Sequence, residues 1–329
     1  MRYFGKTGMK IKRVGFGGIP IQRISQEDTN KVIDELEKCG VNFIDTARGY
    51  TVSEEYLGNA LKGRREKFYI ATKSMSRDYE SMKRDIEISL KNLQTDYIDL
   101  YQMHNVKPAE YDTLFGEDKA YRALLEAKEQ GKIKHIGITS HGLETVEKAV
   151  ESDKFETIQF PYNIVENQAD EVFKRAYEKG VGTIVMKPLA GGAIDDGTLA
   201  MKYLLSREYI DVAIPGMDSP QQVIENTDVL QNYELTEEDN KKIAKIKSEL
   251  GTNFCRRCEY CLPCPKGINI PQNFLLEGYL KDWAVDRYRG LAENERASNC
   301  IECGACQKKC PYELPIIDML KKVVDTLEK

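Results

Sequence analysis

Eight of this 329-residue chain's nine cysteines fall in two short runs near the C-terminal end. Cys255, Cys258, Cys261 and Cys264 follow one another at three-residue steps before Pro265. Cys300, Cys303, Cys306 and Cys310, with one longer final step, precede Pro311. Thiolates at such spacing are soft metal ligands. A disulfide framework is the poorer reading, because the opening MRYFGKTGMKIKRVGF lacks the apolar core of a secretion signal. The expectation is a reducing, cytoplasmic setting. Structural zinc also uses Cys-x2-Cys pairs, but draws two from each of two separated knuckles. Four at one-turn spacing with a trailing Cys-Pro point to iron–sulfur chemistry instead. Cys39, alone in the helical stretch DELEKCG, reads as core.

The second run resembles the ligand pattern of bacterial two-cluster ferredoxins, and the first is one residue shorter before its last cysteine. In that pattern the Cys-Pro cysteine ligates the other cluster. The resemblance implies two [4Fe-4S] clusters, one held by Cys255, Cys258, Cys261 and Cys310, the other by Cys300, Cys303, Cys306 and Cys264.

The length exceeds one typical domain. With 41% hydrophobic and 31% charged residues and a net charge of −5, the composition suits a globular protein and argues against nucleic acid as a partner. No apolar run reaches the ~20 residues of a membrane span.

Before the cysteines, short β-branched and aromatic runs recur at 13–16, 41–45, 68–73, 97–104, 135–139, 157–162, 182–187 and 211–215. Runs such as FYIATK and IQFPY read as parallel strands buried on both faces. Helical stretches alternate with them, at 26–39, 53–61, 79–93, 119–130, 143–151, 169–179 and 199–205, with Ser25 and Ser53 as expected N-caps. Gly40, Gly131 and Gly180 stand where left-handed C-caps fall.

Eight such repeats predict an α/β fold, a (β/α)8 TIM barrel over residues 1–250. The first eleven residues read as a hairpin plugging its floor. An open doubly wound sheet is the alternative, weakened because Gly15-Phe16-Gly17-Gly18 lacks the dinucleotide fingerprint. Residues 251–329 are expected to form a small all-helical ferredoxin-like iron–sulfur domain, with the segment between the cysteine runs and 316–328 helical.

Function in such a barrel sits at the C-terminal strand ends. Asp45 ends the second strand, with Tyr50 five residues on; Lys73 ends the third and His104 the fourth. These motifs, FIDTARGY, IATKS and MHN, together with QFPYN and IPG, resemble the aldo-keto reductases over essentially residues 1–250. The resemblance implies a catalytic tetrad of Asp45, Tyr50, Lys73 and His104. A Lys73 ammonium is expected to lower the Tyr50 pKa toward a range useful for proton transfer. Asp45 holds Lys73 charged, and His104 orients a carbonyl oxygen. Read without the family, Asp45–Lys73 is simply a satisfied ion pair and His104 a core histidine.

The family also implies nicotinamide contacts from Ser140, Gln159 and Met186, the last standing where the usual stacking aromatic belongs. Gly216, Ser219, Gln222, Glu225 and Asn226 follow the eighth strand. No cation lies in Pro215–Gln222, and Asp218 does, which tilts the cofactor from NADP(H) toward NAD(H). The expected substrate is a small carbonyl or alcohol. Clusters pass single electrons whereas nicotinamide passes a hydride. A bound flavin, a redox partner protein, or a purely sensing or structural role for the clusters are therefore the open alternatives.

Overall fold

The computed structural model describes residues 1–250, 254–255, 261–279, 282–310 and 312–328. The chain divides into two compact units: Met1–Ala190 with Ile194–Ala244, and Lys245–Lys329 with Gly191–Ala193.

The first unit opens with an antiparallel hairpin, β1 (Arg2–Tyr3) and β2 (Lys10–Ile11). Eight parallel strands follow, each hydrogen-bonded to the next: β3 (Phe16–Gly17), β4 (Phe43–Asp45), β5 (Tyr69–Ser74), β6 (Ile98–Met103), β7 (Ile133–Thr139), β8 (Thr157–Pro161), β9 (Gly182–Met186) and β10 (Val212–Ala213). The sheet closes on itself. Val14 bridges Ala213 and Gly17 bridges Gly216, both in parallel, and Gly15 N–H donates to the Ala213 carbonyl at 2.8 Å. Glycine is required at this seam, because a Cβ on Gly17 would lie 2.8 Å from the Ile214 carbonyl oxygen. Every residue of β6 and β8 is buried, as expected of strands covered on both faces.

The covering layer is α1 (Gln26–Lys38), α2 (Ser53–Ala60), α3 (Tyr79–Leu93), α4 (Ala120–Glu129), α5 (Leu143–Glu151), α6 (Asp170–Lys179), α7 (Gly197–Leu205) and α8 (Pro220–Asp228). Ser25 caps α1, its hydroxyl accepting from Asp28 N–H at 3.0 Å. Gly40, Gly131 and Gly180 all take positive φ, between 66° and 74°. Ser53 departs from its expected role. It is the first helical residue of α2, and its hydroxyl donates to the Gly18 carbonyl at 3.0 Å and pairs with Thr46 Oγ1 at 2.8 Å. Those bonds tie the loop after β4 to the barrel wall.

The hairpin closes the floor. Phe4, Met9 and Ile11 are buried with Phe43, Leu100, Ile184 and Val212, and Phe4 meets Phe43 edge-on at 5.5 Å between ring centres. An ion pair between half-buried Arg2 and buried Asp211, Nε to Oδ1 at 2.8 Å, pins the hairpin. The chain leaves the barrel through α9 (Glu237–Leu250), inside which the division between the units falls.

Among its described residues the second unit contains helices and no strand: α10 (Ile270–Tyr279), α11 (Asp282–Arg289), α12 (Ala305–Lys309) and α13 (Ile316–Leu327). Helix α13 is amphipathic, burying Ile316, Leu320, Val323 and Leu327 on one stripe. They join Ile268, Ile270, Phe274 and Tyr288 in a small core of this unit's own.

Candidate active site

Four strand ends bring distant residues to one point. Lys73 Nζ donates to Asp45 Oδ1 at 2.5 Å and to the Thr46 carbonyl at 2.7 Å, and both side chains of the pair are almost wholly buried. Gln102, one residue before the end of β6, donates to Asp45 Oδ2 at 3.2 Å. Gln159 on β8 stands on the same carboxylate and favours its charged form. The carboxylate therefore satisfies its lone pairs without water, the condition under which a buried ion pair is tolerated.

Tyr50 lies on the loop from β4 to α2. Lys73 Nζ stands 4.9 Å from the centre of its ring, and His104 meets that ring edge-on at 5.9 Å between centres. All four residues of the expected tetrad thus gather at one end of the barrel.

Electrostatics alter the expectation in one respect. The Tyr50 pKa is raised above the ordinary phenol value, not lowered. Burial dominates, and the Lys73 ammonium only partly opposes it. Tyr50 is consequently a protonated phenol at neutral pH, a donor poised to give its proton. Burial, with the Lys73 and Arg77 charges behind it, holds the His104 imidazole well below its usual value and therefore neutral. Burial lowers Lys73, but the charge of Asp45 and its hydrogen bond outweigh it and keep the ammonium above its ordinary value. Burial pushes the Asp45 carboxyl up against Lys73.

The nicotinamide contacts expected from sequence are spread more widely. Ser140 is fully buried directly after β7, its hydroxyl donating to the Val106 carbonyl at 2.6 Å and accepting from Gly142 N–H at 2.9 Å. Met186 ends β9, half-buried. Gly216 sits on the barrel seam. Ser219 caps α8, accepting from Gln222 N–H at 3.4 Å, while Gln222 accepts from Asp218 N–H at 2.7 Å. Glu225 and Asn226 bond within α8, to Gln221 and the Gln222 carbonyl.

Three buried atoms near the tetrad have no protein partner: Gln102 Oε1, Gln159 Oε1 and His104 Nδ1. A carboxamide donor suits the first two, so the residues present fit a nicotinamide.

The cysteines gather differently. Cys264, Cys300, Cys303 and Cys306 line one cavity in the second unit, walled by Ile268, Ile270 and Leu320. A cysteine of the first run therefore joins three of the second. Burial raises the Cys306 thiol above its usual value. Cys261 is buried, Cys255 and Cys310 are half-buried, and Cys258 lies outside the described residues. Among the described residues no three His, Cys, Asp or Glu side chains converge on a single metal-ion position. Four thiols around an apolar-walled volume suit a cluster with one ligand per iron.

Sequence reasoning missed several partners. Gln102 was hidden as one polar residue in a buried strand, and Arg77, which donates to the His104 carbonyl at 2.8 Å, lies in a loop. Glu54 is 1% exposed on a helix face it shares with Leu57, Gly58 and Leu61. An acid on an apolar stripe is itself a signal, since burial requires a partner.

Residues 13–198 match the aldo/keto reductase family and residues 254–315 match a 4Fe-4S dicluster domain. L-galactose dehydrogenase of Arabidopsis thaliana is 26% identical over 301 residues, covering 76% of this chain and 94% of its own length. Methylglyoxal reductase DkgA of Escherichia coli is 29% identical over 251 residues, covering 70% of this chain and 88% of its own. Among solved structures, aldo-keto reductase AKR11C1 of Bacillus halodurans aligns with a TM-score of 0.65 at 26% identity, covering 74% of this chain and 95% of that one.

Proposed function

We propose, for a chain that belongs to the aldo/keto reductase family and carries a 4Fe-4S domain, that it reduces a small carbonyl compound, or oxidises the corresponding alcohol, with Tyr50 as the proton donor. The observation that carries this reading is the buried Lys73–Asp45 pair set against the ring of a protonated Tyr50, with a neutral His104 at its edge.

When bound, a reduced nicotinamide supplies the hydride, and thiolate-held clusters supply single-electron capacity. Ser140, Gln159 and Met186 would hold the nicotinamide, and Gly216, Ser219, Gln222, Glu225 and Asn226, after the eighth strand, the adenosine end of the same cofactor. The absence of a cation from Pro215–Gln222 favours NAD(H).

The chain's own residues divide the remaining work. Neutral His104 donates one hydrogen bond to the substrate oxygen and orients it toward Tyr50. The phenol proton passes to that oxygen as negative charge develops there, and the adjacent Lys73 ammonium stabilises the phenolate left behind. Asp45 fixes Lys73, and Gln102 fixes Asp45. In the second unit, Cys264, Cys300, Cys303 and Cys306 hold one cluster, and Cys255, Cys258, Cys261 and Cys310 a second. The exposure of Cys303 suits exchange of single electrons with a separate redox protein.

Two relatives support a small substrate, one named for oxidising a sugar and one for reducing methylglyoxal. The test uses anaerobically purified protein, NADH and NADPH separately, and a panel of aldehydes and ketones. Tyr50→Phe is expected to lower turnover by about 10²–10⁴-fold, the range typical of losing a general acid, with nicotinamide binding retained. Undiminished turnover removes Tyr50 from the chemistry. Tight nicotinamide binding with no turnover of any carbonyl would instead favour a sensing role.

A further inference from the structure

The geometry points to Glu54, paired with Arg48, as the positioning residue that locks the Tyr50 loop onto the strand carrying Lys73. The inference rests on the reading of Tyr50 as proton donor and extends it to two residues outside the tetrad.

Tyr50 sits on a seven-residue loop between β4 and α2, 23 residues from Lys73 in sequence. Proton transfer needs the two groups fixed to a fraction of an ångström, which a loop alone does not supply. Glu54 lies four residues beyond Tyr50, in the first turn of α2. Its Oε2 accepts from Arg48 Nη1 at 2.6 Å. Its Oε1 accepts from Thr72 Oγ1 and from Ser89 Oγ, each at 2.7 Å. Thr72 is the neighbour of Lys73 on β5, and Arg48 donates its backbone N–H to the Lys73 carbonyl at 2.9 Å.

A closed circuit results, running from Lys73 to Thr72, through Glu54 to Arg48, and back to Lys73. Tyr50 is strung between Arg48 and Glu54. On the far side Arg48 Nε lies 3.9 Å from Asp85 Oδ1, and Asp85 accepts from Ser76 Oγ at 2.6 Å. Burying the Glu54 carboxylate against a half-buried Arg48 costs desolvation that a pair of apolar side chains would avoid. Stability alone therefore gives no reason for it, whereas fixing one loop geometry does.

The distinguishing variant is Glu54→Gln. The amide keeps the shape and removes the charge: its oxygen can face the Arg48 guanidinium while its NH2 donates to the Thr72 and Ser89 hydroxyls. The loop end of the circuit is then held by a hydrogen bond to a neutral amide in place of an ion pair, and it loosens. The expected result is a fall in kcat of at least ten-fold, with carbonyl KM and nicotinamide Kd within two-fold of the wild type. That split marks an interaction felt in the transition state and not in binding. Arg48→Met, at a half-buried position that tolerates an apolar stem, is expected to do the same. The double variant should be no worse than the worse single, because the two act as one unit.

An independent readout is hydrogen exchange by mass spectrometry. The 46–52 peptide should exchange at least ten-fold faster in Glu54→Gln, with β6 and α4 unchanged. Unchanged kcat, or faster exchange throughout the barrel, overturns the proposal. If Tyr50→Phe itself leaves turnover intact, the functional reading fails, and the exchange result still decides whether Glu54 holds the loop.

Discussion

Lys73→Met isolates the charge at the centre of the site. Methionine nearly preserves the volume of the lysine stem, so the change removes an ammonium without opening a large cavity. The Asp45 carboxylate is left 2% exposed, with only the Gln102 and Gln159 amides for company. Breaking a buried pair from one side costs about 3–5 kcal/mol. That loss has a definite pH dependence. Burial already pushes the Asp45 carboxyl above its ordinary value, and Lys73 opposes the shift; without Lys73 the rise is larger.

A carboxyl whose folded pKa exceeds its unfolded value binds more protons when folded. Stability then falls as pH rises, by up to ~1.4 kcal/mol per unit, from about pH 3.9 until the folded pKa is reached. The deficit relative to wild type is therefore expected to be smaller at pH 5 than at pH 7.5, where it approaches the full ~3–5 kcal/mol. Urea unfolding of the whole chain under argon, followed by far-UV circular dichroism at both pH values, measures it. The companion Asp45→Asn/Lys73→Met removes both charges and should recover most of the loss. Equal deficits at pH 5 and 7.5, or a double variant as unstable as the single, would show that Asp45 does not carry the buried charge assigned to it.

Two other outcomes follow from the barrel wall and floor. Burial against the floor pushes the Asp211 carboxyl up to about 6, so it draws stability away as pH climbs from about 3.8 to 6. Asp211→Asn should flatten the stability–pH curve in that window by up to about 3 kcal/mol relative to wild type, and an unchanged slope would contradict the buried carboxyl. Gly58→Ala places a Cβ 2.2 Å from the Asn92 carbonyl oxygen and 2.9 Å from the Leu93 carbonyl carbon. Since helix backbone cannot yield as a side chain does, a loss of about 3 kcal/mol is expected, and a melting temperature within a degree of wild type would mean the helices separate easily.

Much of this architecture was legible because local pattern and global fold agree. Buried runs such as IDLYQM read as covered strands and became β6, and the polar residues ending such runs marked the mouth. The sign of the Tyr50 shift was not legible. Sequence places Lys73 beside the phenol, but how much water the surrounding chain excludes is set by packing from every side. Ser53 misled because a serine before an acidic helix start is a good cap by local chemistry, and a tertiary partner, the Gly18 carbonyl, claimed its hydroxyl instead. The gathering of Cys264 with Cys300, Cys303 and Cys306 was suggested by the Cys-Pro signature; the apolar wall of Ile268 and Leu320 around them was not.

The seam of the barrel also bears on when the protein can fold. Val14 and Gly17 reach across the seam to Ala213 and Gly216, and Phe4 packs against Gly182. During synthesis, strands β3 to β9 can line up as the chain emerges, yet the sheet keeps two open edges until β10 has left the ribosome. Contacts spanning nearly 200 residues form last and slowly. An open parallel sheet with a bare edge is also prone to pairing with a neighbour. The window in which this chain is most exposed to misassembly is thus set by the distance along the sequence between its first strand and its last.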